Sequence, residues 1–260
     1  MSTQETQRRV SVTTTGSVTT VALDSPHNRN ALSGLLVGQL REALEAAAAD
    51  GAVRAVVLTH TGGTFCAGAD LSEASAAPED DPARARADEL VDLLRLIVTL
   101  PKPVVGVVDG HVRAGGMGLV AACDIVLAGP SATFALTESR LGLAASVISL
   151  TVLPRIDPRA ASRVFLTGEK FDAAEAARIG MVTESAQDLT AALDTLTGDL
   201  AKCSPQGLRE SKALVNHELL AHLDEHRDRV AAQSSRLFSS EEAKEGMTAF
   251  LQRRAPRWSA

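Results

Sequence analysis

The chain has 260 residues, of which 45% are hydrophobic, and a formal net charge of −6. That is enough to bury a substantial core as one large domain or one domain with an appendage, and with no polybasic run it argues against nucleic acid as the main partner. Aromatic residues make up only 3%, with no Tyr and one Trp, so base-stacking surfaces are not expected either. No apolar run is long enough to span a bilayer, and the opening MSTQETQRR lacks an apolar signal core, so the expected place is the cytoplasm and no membrane partner is expected. Cys66, Cys123 and Cys203 have no metal spacing and are odd in number, which reads as small buried thiols rather than a metal site or a disulfide framework.

Val10 to Leu23 alternates around Thr15-Gly16-Ser17 and predicts a hairpin. A polar loop from Asp24 to Asn30 follows. Ser33 then caps a helix with apolar residues at Leu36, Leu40, Ala43, Leu44 and Ala47. Val53 to Thr59 reads as a strand that empties into His60-Thr61-Gly62-Gly63-Thr64, a loop too rich in glycine for regular structure. Ser72 to Arg86 has no periodicity and reads as a surface segment. The next helix carries Leu90, Leu93, Leu94, Ile97 and Val98 and stops at Pro101. Val104 to Val108 is β-branched and wholly apolar, as a buried strand would be. A segment of small residues, Ala114 to Gly118, runs from it into another helix, and Asp124 to Ala128 gives a further strand. From about Ala160 onward the pattern is nearly all helical. Strands alternating with helices predict an α/β fold with mostly parallel pairing, followed by a helical tail.

Gly116-Met117-Gly118-Leu119-Val120-Ala121 fits G-x-G-x-x-A, with Glu138 twenty residues past Gly118. Seven residues, Asp109 to Gly115, separate it from the strand, whereas a dinucleotide-binding turn is much tighter. A nicotinamide or flavin is therefore not expected. A different clue is that two strand exits, FCAGADL and RAGGMGL, have the same small-residue character. Two backbone N–H groups aimed from different strands at one point make an oxyanion hole.

These stretches resemble the crotonase (enoyl-CoA hydratase/isomerase) family. The matching pieces are Asn30-Ala31-Leu32, F-C-A-G-A-D-L, and K-P-V-V-G-V-V-D-G with its A-G-G and A-A-C-D-I continuation. Further on come F-A-L-T-E-S-R-L-G-L from Phe134, L-T-G-E-K-F-D-A-A-E-A from Leu166, and E-G-M-T-A-F-L-Q-R-R near the end. The resemblance implies a core spiral of β-β-α units over residues 1–200 and a helical C-terminal region, 201–260, that builds trimers, often paired into hexamers. It also implies a CoA thioester as substrate, in fatty acid metabolism, with no cofactor and no metal.

Carried over by position, Ala69 and Gly115 resemble the two N–H donors for the thioester oxygen, and Glu138 resembles a catalytic glutamate. Asn28, Arg29 and Ala31 match the loop along the CoA nucleotide, with Ala67, Asp70 and Leu71 on the adenine side. Phe250 and Arg253 match C-terminal residues that reach a neighbouring subunit's CoA. A glutamate beside apolar acyl chains should have a raised pKa, suiting it to acid/base work near neutrality.

Two-glutamate hydratases of the family carry a second carboxylate where this chain has Gly118. Hydration of a 2-enoyl-CoA by the single glutamate is the leading expectation, Δ3-Δ2-enoyl-CoA isomerisation the alternative, and acyl-CoA binding without catalysis the second alternative. The segment from Leu143 to Ser149 also departs from the pattern of two-glutamate members, which implies a reshaped acyl pocket. His111, Arg113, Arg140 and Ser146, the last read as opening the next helix, are the polar residues that could compensate. His111 ranks first, because a histidine exchanges protons near neutrality.

Overall fold

The protein is described here by a computed structural model covering residues 8–70 and 81–259. Strands β1 (Val10–Thr15) and β2 (Val18–Leu23) form the hairpin, and α1 (Gly34–Ala49) follows. The Ser33 hydroxyl accepts the Leu36 N–H at 3.2 Å, so the cap stands where the sequence puts it. Three successive units then repeat one plan. The first is β3 (Ala55–His60), β4 (Thr64–Cys66) and α2 (Pro82–Thr99). The second is β5 (Val104–Val108), β6 (His111–Arg113) and α3 (Gly115–Ala122). The third is β7 (Ile125–Ala128), β8 (Thr133–Ala135) and a 3-10 turn, Glu138–Leu141.

The first strand of each pair enters a six-stranded sheet ordered β1-β2-β3-β5-β7-β10, and the second a four-stranded sheet ordered β4-β6-β8-β9. The chain therefore winds as a spiral of β-β-α units. The later elements are α4 (Ser149–Val152), α5 (Pro158–Thr167), β9 (Phe171–Asp172), α6 (Ala173–Arg178) and β10 (Glu184–Ser185). Four helices close the chain: α7 (Leu189–Ala201), α8 (Pro205–Val215), α9 (His217–Phe238) and α10 (Glu241–Leu251). Apart from β1–β2 and β8–β9, the pairings are parallel. Among the described residues no helix is long and apolar enough to cross a membrane.

Four local readings change. Cys66 and Cys123 are buried thiols, but Cys203, just past the end of α7, is exposed. The glycine-rich loop after β3 gives way to β4 at Thr64, a strand of three residues and too short to show alternation. Residues 71–80 lie outside the described residues, but Pro82 to Arg86 are helical. Asp81 caps α2 by accepting the Arg84 N–H at 2.9 Å, and Pro82 suits the first turn, where no N–H is needed. Ser146 does not open a helix. Its N–H closes a turn on the Ala144 carbonyl at 2.7 Å, and α4 starts at Ser149.

The core is continuous from β3 and β5 (Val56, Leu58, Val104 and Val108) to the α2 face of Leu93, Leu94 and Ile97. The C-terminal helices are fastened to it by buried polar groups. Lys212 of α8 lies 2.8 Å from the Asp124 carboxylate and donates to the Ile97 and Lys102 carbonyls. Asn216 donates to Asp124 at 2.7 Å and accepts from Arg155 at 2.9 Å. Burial pulls the Lys212 pKa down, and Asp124 opposes it. Each charge is paired and hydrogen-bonded, as burial requires.

Candidate active site

Register in the four-stranded sheet brings the proposed catalytic groups together. Cys66 of β4 pairs with Val112 of β6, and Val112 pairs with Phe134 of β8. Ala69 lies three residues beyond Cys66, Gly115 three beyond Val112, and Glu138 four beyond Phe134. All three thus leave the carboxyl edge of adjacent parallel strands about 4.8 Å apart, where open α/β sheets place their ligands.

The two N–H groups are set by tight backbone contacts. The Leu32–Ala69 bridge uses the Gly68 carbonyl and the Asp70 N–H, which leaves the Ala69 N–H on the opposite side of its strand. Gly115 is the first residue of α3, so its N–H has no acceptor within the helix. Gly68 has φ +95°, and a Cβ there would stand 2.6 Å from the Ala114 Cβ; only glycine lets the two turns meet. Ala114 itself has φ 46°, a conformation costing about 1–3 kcal/mol that persists where surrounding structure over-determines it. Ala69 is exposed at this corner and Gly115 is buried. Beneath them the buried Cys66 thiol, pushed up to about 12 by desolvation, accepts from the Gly68 N–H at 3.4 Å and is a structural group.

Glu138 begins the 3-10 turn that ends at Gly142. The residue as a whole is half-buried, but its Oε2 is buried with no hydrogen-bond partner. Burial raises the carboxyl to about 7, opposed only by a backbone hydrogen bond within the residue itself. A carboxyl with no ion pair among the described residues, half-protonated near neutrality, can both take and return a proton. The other side-chain atom in this condition among the described residues, His60 Nδ1, belongs to a ring that accepts the Asp109 N–H and packs edge-on against Phe65.

The place of a second carboxylate is filled. A Cβ at Gly118 would lie 2.7 Å from Ile148 Cγ2 and 3.4 Å from Leu94, so these two side chains present a hydrocarbon wall to α3 there. The polar residues considered as replacements are engaged elsewhere. His111 is exposed and bonded to the Thr133 hydroxyl at 2.8 Å, and Arg113 reaches the Thr133 carbonyl at 2.7 Å. Arg140 donates to the Thr167 carbonyl at 2.8 Å.

The loop assigned to the CoA nucleotide is built around Asn30, which sequence reasoning treated only as part of a match. Its amide donates to the Thr61 and Thr64 carbonyls and accepts the Ser25 N–H, all from a fully buried side chain. Arg29 sits in the left-handed region at φ 59°, and its carbonyl accepts the Ala67 N–H at 3.1 Å. Asn28 donates to Asp70 at 3.1 Å, while Ala31 is buried. The structure thus brings Asn28, Arg29, Ala31, Ala67 and Asp70 into one corner. Leu71 lies outside the described residues. Phe250 is exposed in the last turn of α10 and Arg253 just beyond its end. Among the described residues no group of three His, Cys, Asp or Glu side chains gathers as a metal site.

Residues 13–260 match the family model described as enoyl-CoA hydratase/isomerase. The 2,3-dehydroadipyl-CoA hydratase of Escherichia coli is 34% identical over 244 residues, which is 91% of this chain and 92% of that protein. Among solved structures, an enoyl-CoA hydratase from Mycobacterium avium superimposes with a TM-score of 0.90 at 52% identity, covering 96% of this chain and 99% of that one. A carnitinyl-CoA hydratase from the same organism gives 0.85 at 29% identity, with 97% and 99% covered. Together with the two-sheet spiral, these likenesses show that the chain has the crotonase fold and belongs to the enoyl-CoA hydratase/isomerase family.

Proposed function

We propose that the protein adds water across the C2–C3 double bond of a 2-enoyl-CoA, with Glu138 as its one acid/base and the Ala69 and Gly115 N–H groups on the thioester oxygen. The observation that carries this reading is the Glu138 Oε2, buried with no hydrogen-bond partner, on a carboxyl that burial raises to about 7. In the ionised form it takes a proton from water as the water oxygen bonds to C3. The C2–C3 π electrons move toward the thioester oxygen, where the two N–H donors hold the enolate. The enolate then collapses by taking at C2 the proton that Glu138 carries. Developing charge on that oxygen is met by preorganised donors, each worth about 3–4 kcal/mol in comparable sites.

Isomerisation of a 3-enoyl-CoA is the second reading, favoured by the Ile148 wall against Gly118. A lone carboxylate can move a proton from C2 to C4 without placing water at all. The same corner, Asn28 to Ala31 with Ala67, Asp70 and Leu71, is proposed to hold the CoA nucleotide. No cofactor is proposed beyond the CoA of the substrate itself. Residues 201–260 are proposed to form a homotrimer or hexamer, supported by the exposed Leu214, Val215, Phe250, Leu251 and Trp258. Phe250 and Arg253 would then meet the CoA of a neighbouring copy. The cytoplasm is the proposed location.

Purified protein given a 2-enoyl-CoA and, separately, a 3-enoyl-CoA tests the reading through the absorbance of the conjugated thioester. Loss of signal from the first is hydration; gain from the second is isomerisation. Binding with no change in either would leave a non-catalytic acyl-CoA binder and overturn the proposal. In the double variant G118E/I148A, which opens room for a second carboxylate, the ratio of hydration to isomerisation should rise.

A further inference from the structure

The turn that carries Glu138 has little of its own to hold it. It spans four residues and has no side-chain cap at Thr137. On one side Arg140 and Ser139 tie it to the carbonyls of Thr167 and Leu166 at the end of α5. On the other side it meets α10 backbone to backbone, with no side chain between. A Cβ on Gly142 would stand 2.6 Å from the Glu242 carbonyl carbon, 2.7 Å from its oxygen and 2.9 Å from the Ala243 nitrogen. A Cβ on Gly246, one turn further along α10, would be driven into the Leu141 carbonyl. The inward face of α10 is correspondingly small: Ala243, Gly246 and Ala249 are its buried residues.

The same helix is locked from behind. Glu245, beside Gly246, takes both arms of the Arg254 guanidinium at 2.7 and 2.9 Å and the Arg257 N–H at 3.0 Å. Arg254 first, and then Arg257, hold the Glu245 carboxylate down at about 2. The end of α10 and the tail that follows are thus one braced unit.

We propose that α10 is the positioning element for the catalytic carboxylate: through the Gly246–Leu141 and Gly142–Glu242 contacts, the C-terminal helix sets where Glu138 stands. Neither glycine touches substrate; both act through the backbone of the turn. The proposal rests on the reading of Glu138 as the acid/base.

The variant Gly246→Ala must push the turn away from α10. A misplacement of about 1 Å at a reacting group costs on the order of a hundredfold in rate, so kcat should fall by about that factor with KM little changed. The carboxyl should also gain water, so the pH limb of kcat/KM and the ¹³C titration of Glu138 should both move down from about 7. If Gly246→Ala does not fold, Gly142→Asn serves. Asn tolerates the left-handed φ of +72°, so its Cβ against Glu242 is the main insult. Lys212→Met, which weakens the fold by unpairing the buried Asp124 rather than by altering α10, should keep the wild-type kcat and pH limb and so separates positioning from general weakening. A folded Gly246→Ala or Gly142→Asn protein with the wild-type kcat and Glu138 titration, beside an inactive Glu138→Gln, overturns the proposal and leaves the acid/base reading standing. An active Glu138→Gln overturns that reading instead.

Discussion

The two halves of the site are held in place by different means. The N–H donors at Ala69 and Gly115 are fixed by close neighbours just past the strands: an isolated β-bridge to Leu32, a glycine at Gly68 and the start of a buried helix. The Glu138 carboxyl sits on a short turn braced by α5 and by a helix more than a hundred residues away in sequence. The first half is local geometry, stiff because the strands are buried. The second depends on the closure of the whole chain. On the proposed mechanism, charge stabilisation is built into the core, whereas proton transfer is built into the junction between core and C-terminal helices.

The largest expected effect falls on the carboxylate half. Glu138→Gln should cost about 10²–10⁴-fold in kcat/KM, measured with the better of the two enoyl-CoA substrates, while CoA-thioester binding stays near wild type. In the wild type the ionised carboxylate acts first, so kcat/KM should rise as pH increases through about 7. On the donor half, Gly68→Ala forces a Cβ into Ala114 at a left-handed φ and turns the Ala69 N–H aside. It should lower kcat by about 10²–10³-fold, as loss of one oxyanion donor does, and leave the pH limb where it was. A moved limb in Gly68→Ala would blur the division between the halves.

Two smaller effects are read in stability. Lys212→Met leaves the Asp124 carboxylate buried without its cation and should cost about 3–5 kcal/mol in denaturant unfolding, with activity per folded molecule retained. Glu138 works in the opposite direction. Its carboxyl titrates near 4.5 when unfolded and near 7 when folded, so between those values the folded state binds more protons. Stability is then lost as pH rises through that window. Glu138→Gln should be equal to wild type below pH 4.5 and more stable by up to about 3 kcal/mol above pH 7. An unchanged difference across that range would mean that the carboxyl is solvated.

The hairpin, the capped helix at Ser33 and the strands at β3, β5 and β7 were legible because their apolar patterns are long enough to carry a period. The three-residue strands β4 and β6 were not, since alternation has no meaning over so few residues; the family resemblance supplied them. Ala69, Gly115 and Glu138 were findable from small-residue runs and a matched T-E-S-R stretch. Asn30, Ile148 and the Gly142–Glu242 and Gly246–Leu141 contacts were not, because each acts through partners distant in sequence. Gly118 was read as a missing carboxylate, and the structure adds the reason that nothing replaces it: Ile148 occupies the space.

The central claim is that one carboxylate and two backbone N–H groups form an enolate at C2 of a CoA thioester. Deuterium exchange at C2 of a saturated acyl-CoA in heavy water measures that half-reaction alone, free of water addition and double-bond movement. The wild-type protein should introduce deuterium at C2, and Glu138→Gln should not. Equal exchange by the two proteins, or none by a wild-type protein that binds the acyl-CoA, would contradict the account.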